Sequence, residues 1–238
     1  MKISVCLATY NGASFIIRQL DSVLNQLNED DQVIIVDDRS KDNTVELIKQ
    51  KYGNKVEVFI NKENLGAIKS FEKALGFADG DVIFLCDQDD IWEEDKVSKV
   101  VNAFQNEHAD LVVHDALVVD GDLHTMNKSW NAYNSNNILQ GLLGNILKNA
   151  FTGAMMAFKK ELVPLFLPLP KDIEMHDQWI AIVAMLEKKK IVYIDEPLMK
   201  YVRHGGNVTG MRKRSYTEKL SGRIGTVKAV LQYKKSKS

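Results

Sequence analysis

The chain alternates short apolar runs with segments whose apolar residues recur at helical spacing. The apolar runs are ISVCLA (3–8), QVIIVD (32–37), VEVFI (56–60), VIFLC (82–86) and DLVVH (110–114). Between the first two runs, Ile16, Leu20, Val23 and Leu27 fall on one helical face. Strands that read as continuous apolar runs are typical of a mainly parallel sheet with helices on both faces. The sequence therefore predicts an α/β fold with a Rossmann-like sheet, in which ligands bind beyond the carboxyl ends of the strands.

This alternation of strand and helix loosens after about residue 115. A polar loop, DGDLHTMNKSWNAYNSNN, is followed by FTGAMMAF and by the helix-like segment DQWIAIVAML. With 238 residues and 45% hydrophobic composition, the chain can build one substantial core. We predict one domain with two halves, residues 1–115 and 116–210, followed by a basic tail at 211–238.

The composition also limits where the chain is expected to work. Its longest apolar runs have five or six residues, whereas a membrane-spanning helix needs roughly 20. The first residues lack the pattern of a signal peptide, so we expect a cytoplasmic protein. Cys6 and Cys86 each lie inside an apolar run, which favours buried thiols over a disulfide or a metal site.

The tail at 211–238 concentrates positive charge. It has a net charge of +8, although the whole chain has a net charge of −1. Its basic residues are Arg212, Lys213, Arg214, Lys219, Arg223, Lys228, Lys234, Lys235 and Lys237. Within it, Leu220, Ile224, Val227 and Leu231 recur at helical spacing. Such a segment can lie on an anionic membrane surface, pack on the domain as a solvated helix, or form a disordered tail.

Polar side chains follow the first two predicted strands. Thr9, Tyr10, Asn11 and Gly12 end the first, and the sequence DDRS (37–40) ends the second. A carboxylate at such an edge can accept a hydrogen bond from a base N–H or a ribose hydroxyl. The same pattern also fits a structural role, with Asp42 or Asn43 capping a helix and Asp37 ending a strand.

Three carboxylates follow the apolar run at 82–86. In an extended segment Asp87 and Asp89 would share one side and converge on one ion, while Gln88 would point away. Oxygen ligands suit Mg²⁺ or Mn²⁺, which complete their shell with substrate phosphates. The alternative interpretation is an acidic turn, with Asp90 or Glu93 opening the next helix.

Two later segments carry further candidates. Asp177 precedes an apolar helix, with His176 and Trp179 beside it, and either caps that helix or deprotonates a substrate hydroxyl as a general base. Arg203 and His204 precede a pair of glycines. A histidine on such a loop can ligate a metal or bind phosphate, although a lone histidine more often does neither.

Taken in order, these segments form a family pattern. The set SVCLATYNG, VIIVDDRSKDNT, NLGAIKSFEKAL, DVIFLCDQDDIW, HDQW and YVRHGGN resembles family 2 glycosyltransferases, especially bacterial rhamnosyltransferase-like members, over roughly residues 2–210. The resemblance implies a glycosyltransferase-A fold. It also implies an inverting, metal-dependent transfer of a sugar from a nucleotide diphosphate donor.

The resemblance assigns one group of residues to the nucleotide. Ala8, Thr9 and Tyr10 would line the pocket, and Asp38 would read the pyrimidine base. Many members continue the Asn-x-Gly segment with an Ala-Arg-Asn whose arginine holds the nucleotide. Here Asn64-Leu65-Gly66 leads instead to Ser70-Phe71-Glu72, so Lys69 is the candidate replacement.

A second group is assigned to the chemistry. Asp87 would approach the ribose or the metal, and Asp89 would bind the Mn²⁺ or Mg²⁺ ion that bridges the diphosphate. Asp177 would be the catalytic base, and His204 would be a late metal or diphosphate ligand. Candidates for contacts with the acceptor or the donor sugar are His176, Trp179 and Arg203.

The subgroup resemblance favours dTDP-rhamnose as donor and a cell-surface polysaccharide or lipid-linked glycan as acceptor. The motif YVRHG (201–205) departs from the usual Tyr-Arg-Gln-His-Gly of that subgroup, which weakens the donor assignment. A basic tail would then suit peripheral contact with the inner face of the plasma membrane, and we expect no nucleic-acid partner.

The sequence leaves a sugar-1-phosphate nucleotidyltransferase and a non-catalytic nucleotide-sugar-binding protein as alternatives, and it disfavours a dehydrogenase and a phosphorylation-receiver module. A sugar-1-phosphate nucleotidyltransferase would need a glycine-rich triphosphate loop after the first strand, and a dehydrogenase would need a G-x-G-x-x-G turn there. A phosphorylation-receiver module would be about half this length. A non-catalytic protein that only binds nucleotide sugars would carry the same motifs without turnover.

Overall fold

The computed structural model of the chain describes residues 1–205 and 215–237. The strands are β1 Ile3–Thr9, β2 Gln32–Asp37, β3 Glu57–Ile60, β4 Val82–Asp87, β5 Ile91–Trp92, β6 Leu111–Asp120, β7 Thr125–Asn127, β8 Met156–Lys159 and β9 Ile191–Arg203. The helices are α1 Ile16–Leu24, α2 Thr44–Tyr52, α3 Ala67–Phe77, α4 Lys96–Asn106, α5 Trp130–Asn134, α6 Gly141–Leu147, α7 Val163–Phe166, α8 His176–Leu186 and α9 Tyr216–Lys237. Arg212, Lys213 and Arg214 of the predicted tail lie outside the described residues.

The five predicted strands are confirmed as β1, β2, β3, β4 and β6. Their local signal is strong because β1, β2 and β4 lie in the middle of the sheet, where helices cover both faces. Cys6 and Cys86 are fully buried free thiols, as predicted. The polar loop was only partly predicted, because residues 120–137 also contain β7 and α5.

Within the described residues, the strands form one nine-stranded sheet in the order β3-β2-β1-β4-β8-β6-β9-β5, with β7 paired to β6. The pairs β1/β2, β1/β4, β2/β3 and β6/β9 are parallel, whereas the pairs made by β8, β5 and β7 are antiparallel. The chain adds β2 and β3 on one side of β1 and then returns to add β4 on the other. Such a reversal opens a crevice at the carboxyl ends of the strands, where ligands bind in α/β sheets.

The helices follow their apolar patterns. Helix α1 buries Ile16, Leu20 and Val23 on one face, which is the predicted face. Helix α8 is apolar beyond its first turn, is buried along most of its length and packs against α6 and α7. Its residue Trp179 packs edge-on against Tyr233 of α9, with ring centroids 5.8 Å apart.

The predicted helix in the basic tail is confirmed as α9. Helix α9 packs on the domain, with Ala229 and Val230 buried in the core. The stripe formed by Leu220, Ile224, Val227 and Leu231 faces away from the domain and is exposed. None of the described helices is long and apolar enough to cross a membrane.

Candidate active site at the carboxyl ends of the strands

The predicted polar edge of the sheet is present. In the register of the sheet, Thr9 lies opposite Asp37, and Ala8 lies opposite Asp87. The carboxyl ends of β1, β2 and β4 therefore meet side by side. Tyr10, which follows directly, is 39% exposed at this edge.

The loop after β1 is fixed against the loop after β2 by hydrogen bonds, three of which come from backbone N–H groups of the first loop. The backbone N–H of Asn11 donates to Ser40 Oγ over 2.9 Å, and that of Gly12 donates to Thr44 Oγ1 over 2.8 Å. The N–H of Ala13 donates to Asp42 Oδ2 over 3.1 Å. Asp42 thus bridges two loops. The residue at the N-cap of α2 is Asn43, whose side chain makes no capping hydrogen bond.

Asp38 holds the turn that leads into α3. Its buried carboxylate accepts hydrogen bonds from the Asn61 side chain at 2.9 Å and from the backbone N–H groups of Leu65 at 2.8 Å and Gly66 at 2.7 Å. A carboxylate has about four acceptor positions, so one remains for a nucleotide base. Sequence reasoning gave Asp38 a role in binding and missed this structural role.

Lys69 lies on α3 beyond that turn. Its Nζ contacts Glu72 at 2.8 Å, and the same carboxylate accepts a hydrogen bond from the N–H of Leu169. Lys69 also lines a cavity of about 490 Å³, together with Leu65, Lys73, Leu167 and Pro168. The structure thus places Lys69 beside the turn held by Asp38.

Gln88 connects the loops after β1 and β4. Its Oε1 accepts hydrogen bonds from Thr9 Oγ1 at 2.6 Å and from the N–H of Tyr10 at 2.9 Å, and its Nε2 donates to the Tyr10 carbonyl at 3.2 Å. Gly12 leaves the space for this side chain, since a Cβ there would lie 2.3 Å from Gln88 Oε1. Sequence reasoning had Gln88 pointing away, and its partners, 78 and 79 residues distant, leave no local signal.

Asp89 and His204 meet at the outer end of β4. Asp89 Oδ2 lies 2.8 Å from His204 Nε2, and both side chains are largely buried. The His204 ring stacks on Phe15 with centroids 4.2 Å apart. Arg18 donates to the Asp89 carbonyl at 3.2 Å, so α1 helps to hold the pair.

Asp87 lies deeper in the same cluster. Burial raises the pKa of the Asp87 carboxyl to about 7, and the neighbouring charges of Asp89 and Asp177 increase the shift. Asp87 is therefore close enough to both Asp89 and Asp177 for their charges to act on it. This links the β4 motif to the first turn of α8, which follows it by almost ninety residues.

Asp90 does not open the next helix, so that interpretation was wrong. The N-cap residue of α4 is Asp95, and β5 lies between the two. Asp90 is buried, and its Oδ1 accepts a hydrogen bond from the N–H of Val202 at 3.1 Å. Burial and the charges of Asp89 and Asp87 raise its pKa well above the usual range.

A buried lysine lies beneath these carboxylates. Lys96 Nζ donates to the Ala154 carbonyl at 2.8 Å and lies 4.2 Å from the centroid of the Trp92 ring. Burial lowers the pKa of Lys96 to about 7, while Asp90 and Asp87 act in the opposite direction. Lys96 is a further ionisable residue near Asp87 and Asp90, and its position at the start of an amphipathic helix pattern gave no sign of its burial.

Asp177 lies in the first turn of α8, one residue inside the helix, and is buried. Its Oδ1 accepts hydrogen bonds from Asn149 Nδ2 at 2.9 Å and from the N–H of Gln178 at 2.6 Å, and its Oδ2 accepts from the N–H of Gly153 at 3.1 Å. Burial raises the pKa of Asp177, and these three donors oppose the shift. A carboxylate with a raised pKa and fixed orientation is suited to take a proton near neutral pH.

The three candidates for sugar contacts occupy different environments. His176 is buried and stacks on Phe71 with centroids 4.1 Å apart. Trp179 is buried, and its Nε1 donates to the Phe166 carbonyl at 3.1 Å. Only Arg203, at the end of β9, is partly exposed, with its guanidinium 6.0 Å from the Tyr133 ring. Arg203 alone among the three has a side chain that is not buried.

The donor set at Asp89 and His204 fits a divalent cation. One carboxylate and one imidazole already touch, so both can turn to one ion, and two protein ligands leave room for diphosphate oxygens. A second group, Asp120, Asp122 and His124, brings three ligand atoms within 4.8 Å, but it lies in the β6–β7 hairpin. Asp120 is also engaged with the N–H groups of that turn.

Comparison with known proteins agrees with this geometry. The profile described as "Glycosyl transferase family 2" matches residues 4–165. The chain is 27% identical over 222 residues to the dTDP-rhamnosyl transferase RfbG of Shigella flexneri, which covers 86% of this chain and 73% of that protein.

Two solved structures have a similar fold. TarS of S. aureus in complex with UDP-GlcNAc aligns with a TM-score of 0.70 and 21% identity over 90% of this chain. The mannosyltransferase PcManGT of Pyrobaculum calidifontis, in complex with GDP-Man and Mn²⁺, aligns with a TM-score of 0.66 and 21% identity over 86%. The chain spans 62% and 58% of those two chains, and between 11% and 66% of several curated glycosyltransferases that it matches.

Proposed function

The chain belongs to glycosyl transferase family 2 and has the glycosyltransferase-A fold, and on that basis we propose that it transfers a sugar from a nucleotide diphosphate donor to a hydroxyl group, with inversion. One observation carries the proposal. The charges of Asp89 after β4 and of Asp177 in α8 both act on the buried carboxyl of Asp87. This supports assigning the proposed base and the proposed metal ligand to one site, as a single displacement requires.

The nucleotide binds, in this proposal, between the loops after β1 and β2. Ala8, Thr9 and Tyr10 line one side, and Asp38 contacts the base while it holds the turn at 61–66. The support is that these segments converge at the polar edge of the sheet and are fixed there by hydrogen bonds. Lys69 lies beyond that turn and takes the place of the missing arginine, and Asp87 lies on the ribose side.

Asp89 and His204 would hold a Mn²⁺ or Mg²⁺ ion beside the diphosphate. When bound, such an ion neutralises the charge that develops on the leaving diphosphate. Support comes from the contact between the two side chains and from the Mn²⁺ ion in the related mannosyltransferase. The residues of this chain orient the ion, while Arg18 and Phe15 hold the ligand pair in place.

Asp177 takes the proton from the acceptor hydroxyl while the oxygen attacks the anomeric carbon opposite the diphosphate. Asn149 and the N–H of Gly153 fix the direction of the carboxylate. Its raised pKa makes it a stronger base than an ordinary aspartate. Arg203 is the candidate for contact with the sugar.

We also propose a specific donor and a class of acceptor. The similarity to a dTDP-rhamnosyl transferase supports dTDP-rhamnose as donor. A growing cell-surface polysaccharide or lipid-linked glycan is the proposed acceptor, with the protein at the cytoplasmic face of the membrane and in peripheral contact with it.

The test is a panel of nucleotide sugars, each assayed with the purified chain for release of nucleoside diphosphate, with Mn²⁺, with Mg²⁺ and with a chelator. We expect one donor to turn over in a metal-dependent way, and faster when an acceptor glycan is added. Binding of a nucleotide sugar without turnover under any condition would instead favour a non-catalytic binding protein. Turnover that is equal in the chelator would overturn the metal assignment.

A further inference from the structure

Large apolar side chains are exposed in one region of the molecule. Of fifteen exposed large apolar residues within the described ranges, seven lie on or next to two helices, α6 and α9. Leu139, Leu143 and Leu147 are 85%, 76% and 59% exposed. Leu220 and Leu231 are 58% and 62% exposed, and Ile224 and Val227 lie between them. Scattered exposed apolar residues need no explanation, but clustered ones mark interaction sites.

Helix α9 is fixed to the domain by its inner face. Tyr233 donates to Glu187 Oε1 over 2.7 Å, and Ala229 and Val230 are buried. Gly225 allows the backbone of residue 172 to approach closely, since a Cβ there would lie 2.1 Å from the carbonyl oxygen of Asp172. The exposed stripe is therefore a stable outer face of a docked helix.

Basic residues flank the exposed stripe on both sides. With 3.6 residues per turn, Lys228 and Lys235 fall along one edge of the stripe, and Arg223 and Lys234 fall along the other. All four are exposed. An apolar stripe with cationic margins is the pattern of helices that lie in the headgroup region of a bilayer.

Helix α6 extends this face. Arg223 Nε donates to the Leu147 carbonyl at 2.9 Å, so α6 lies beside the Arg223 edge of the stripe. Within α6 the residues Leu142 and Ile146 pack against the core, whereas Leu143 and Leu147 face outward. The sequence from 123 to 160 contains no Asp or Glu, so nothing in this segment repels an anionic surface.

We propose that the outer faces of α6 and α9, together with Leu139, form one surface, the α6–α9 surface, that docks on an anionic lipid bilayer. This deepens the peripheral contact proposed above and rests on it only for its biological purpose, because binding needs no sugar transfer. Charge complementarity favours lipid over a second copy of the chain. Two such surfaces would bring their cationic margins together, whereas anionic headgroups neutralise them.

Docking at this surface also orients the active site. Helix α9 packs on α8 through Trp179 and Tyr233, and α8 carries Asp177 in its first turn. The bilayer would therefore fix the direction in which the base faces. A lipid-linked acceptor in that bilayer would then approach Asp177 from one fixed direction.

The experiment is co-sedimentation of the full chain with vesicles of phosphatidylcholine alone and of phosphatidylcholine mixed with phosphatidylglycerol. We expect binding to the mixed vesicles that falls with rising salt, and little binding to the neutral ones. The paired variant Leu143→Ser/Leu147→Ser should weaken binding about tenfold or more. Lys228→Gln/Lys235→Gln should do the same by removing charge.

Matched controls lie elsewhere on the surface. Met126→Ser removes a side chain that is 51% exposed on β7, and Lys49→Gln/Lys55→Gln removes two exposed lysines, so both should bind vesicles like the parent. Nucleoside diphosphate release without vesicles should be unchanged in every variant, which shows that each is folded. Vesicle binding without turnover would leave this inference standing and the proposed transfer refuted.

Two results would overturn the inference. One is absence of binding to the anionic vesicles by a chain that turns over its donor. The other is a dimer in light scattering that the α6 leucine variants convert to a monomer, which would make a second copy the occupant.

Discussion

Asp89 Oδ2 and His204 Nε2 lie 2.8 Å apart, although 115 residues separate them in the chain. The contact joins the end of β4 to the end of β9, two strands that are not neighbours in the sheet. A carboxylate and an imidazole in contact are both side chains that can ligate a divalent cation.

We expect His204→Ala and Asp89→Ala to lower metal-dependent turnover by about 10² or more, since fixed positive charge at the leaving group is a large catalytic contribution. The measurement is turnover as a function of Mn²⁺ concentration, and both variants should need more metal. His124→Ala is the control, because His124 belongs to the exposed β6–β7 hairpin. If turnover by Asp89→Ala depends on Mn²⁺ concentration as it does in the parent, Asp89 is not a metal ligand.

The sequence predicted that Asp89 and His204 lie in one site only through the family resemblance. Apolar runs identified β1, β2 and β4 because each of these runs is buried almost throughout, so the pattern is local. The position of His204 depends on β9 pairing with β6 and β5, which no short stretch encodes. Asp90 also depends on a contact that is distant in sequence. It was predicted to open a helix, but its hydrogen-bond partner is the N–H of Val202, which is 112 residues away.

The burial of His176 and Trp179 also could not be predicted from the local sequence. The sequence placed His176 and Trp179 beside Asp177, and adjacency suggested a shared role in the site. On a helix, neighbours point in different directions, and here α9 and α3 cover the two aromatic rings. The polar edge at the carboxyl ends of β1, β2 and β4 was predicted correctly, because the ends of these strands are set by the local pattern.

A second prediction concerns the pH dependence of turnover. Because burial raises the pKa of Asp177, the rate should fall on the acidic side at a higher pH than for an ordinary aspartate. Turnover falls as the pH is lowered because a general base can accept a proton only while its carboxyl group is ionised. Asp177→Asn should keep nucleotide binding and lose turnover by about 10² to 10⁴.

Asn149→Ala sharpens that prediction. The hydrogen bond from Asn149 stabilises the charged carboxylate and lowers its pKa, so removing it should move the acidic limb of the profile to higher pH. Ser98→Ala on α4 is a control, since its hydroxyl donates to the Asp95 carbonyl on the exposed start of that helix. An acidic limb that does not move in Asn149→Ala would argue against Asp177 as the base.

A third prediction tests the packing behind the base. Gly153 accommodates His176, because a Cβ at position 153 would lie 2.8 Å from His176 Nε2 and 3.7 Å from the Asp177 Cβ. Gly153→Ala should therefore destabilise the fold by about 1 to 3 kcal/mol and lower turnover by displacing the base. Thermal unfolding and donor release measure the two effects.

The matched control is Gly76→Ala in α3, where an added Cβ meets nothing within 4 Å. It should be neutral or stabilising by about 0.5 to 1 kcal/mol, since alanine favours a helix interior. Equal unfolding temperatures for the two alanine variants would contradict the close packing of His176 on Gly153.

The last prediction concerns Gln88, which ties the loop after β4 to Thr9 and Tyr10. Gln88→Leu removes the three hydrogen bonds that fix these residues and should weaken nucleoside diphosphate binding by about tenfold. Gly12→Ala should have a similar effect by another route, because its Cβ would lie 2.3 Å from Gln88 Oε1 and push the side chain away. Calorimetric titration with uridine and deoxythymidine diphosphates measures both.

The two changes act on one contact, so their effects should not add. A variant with both Gly12→Ala and Gln88→Leu should bind the nucleotide about as weakly as either alone, because residues that share a contact are coupled. Gly121→Ala is the control, since Gly121 lies in the turn between β6 and β7 and nothing lies within 4 Å of an added Cβ there. Full additivity would show that Gly12 and Gln88 act on the nucleotide pocket separately, and Gln88 would lose its role as the link between the two loops.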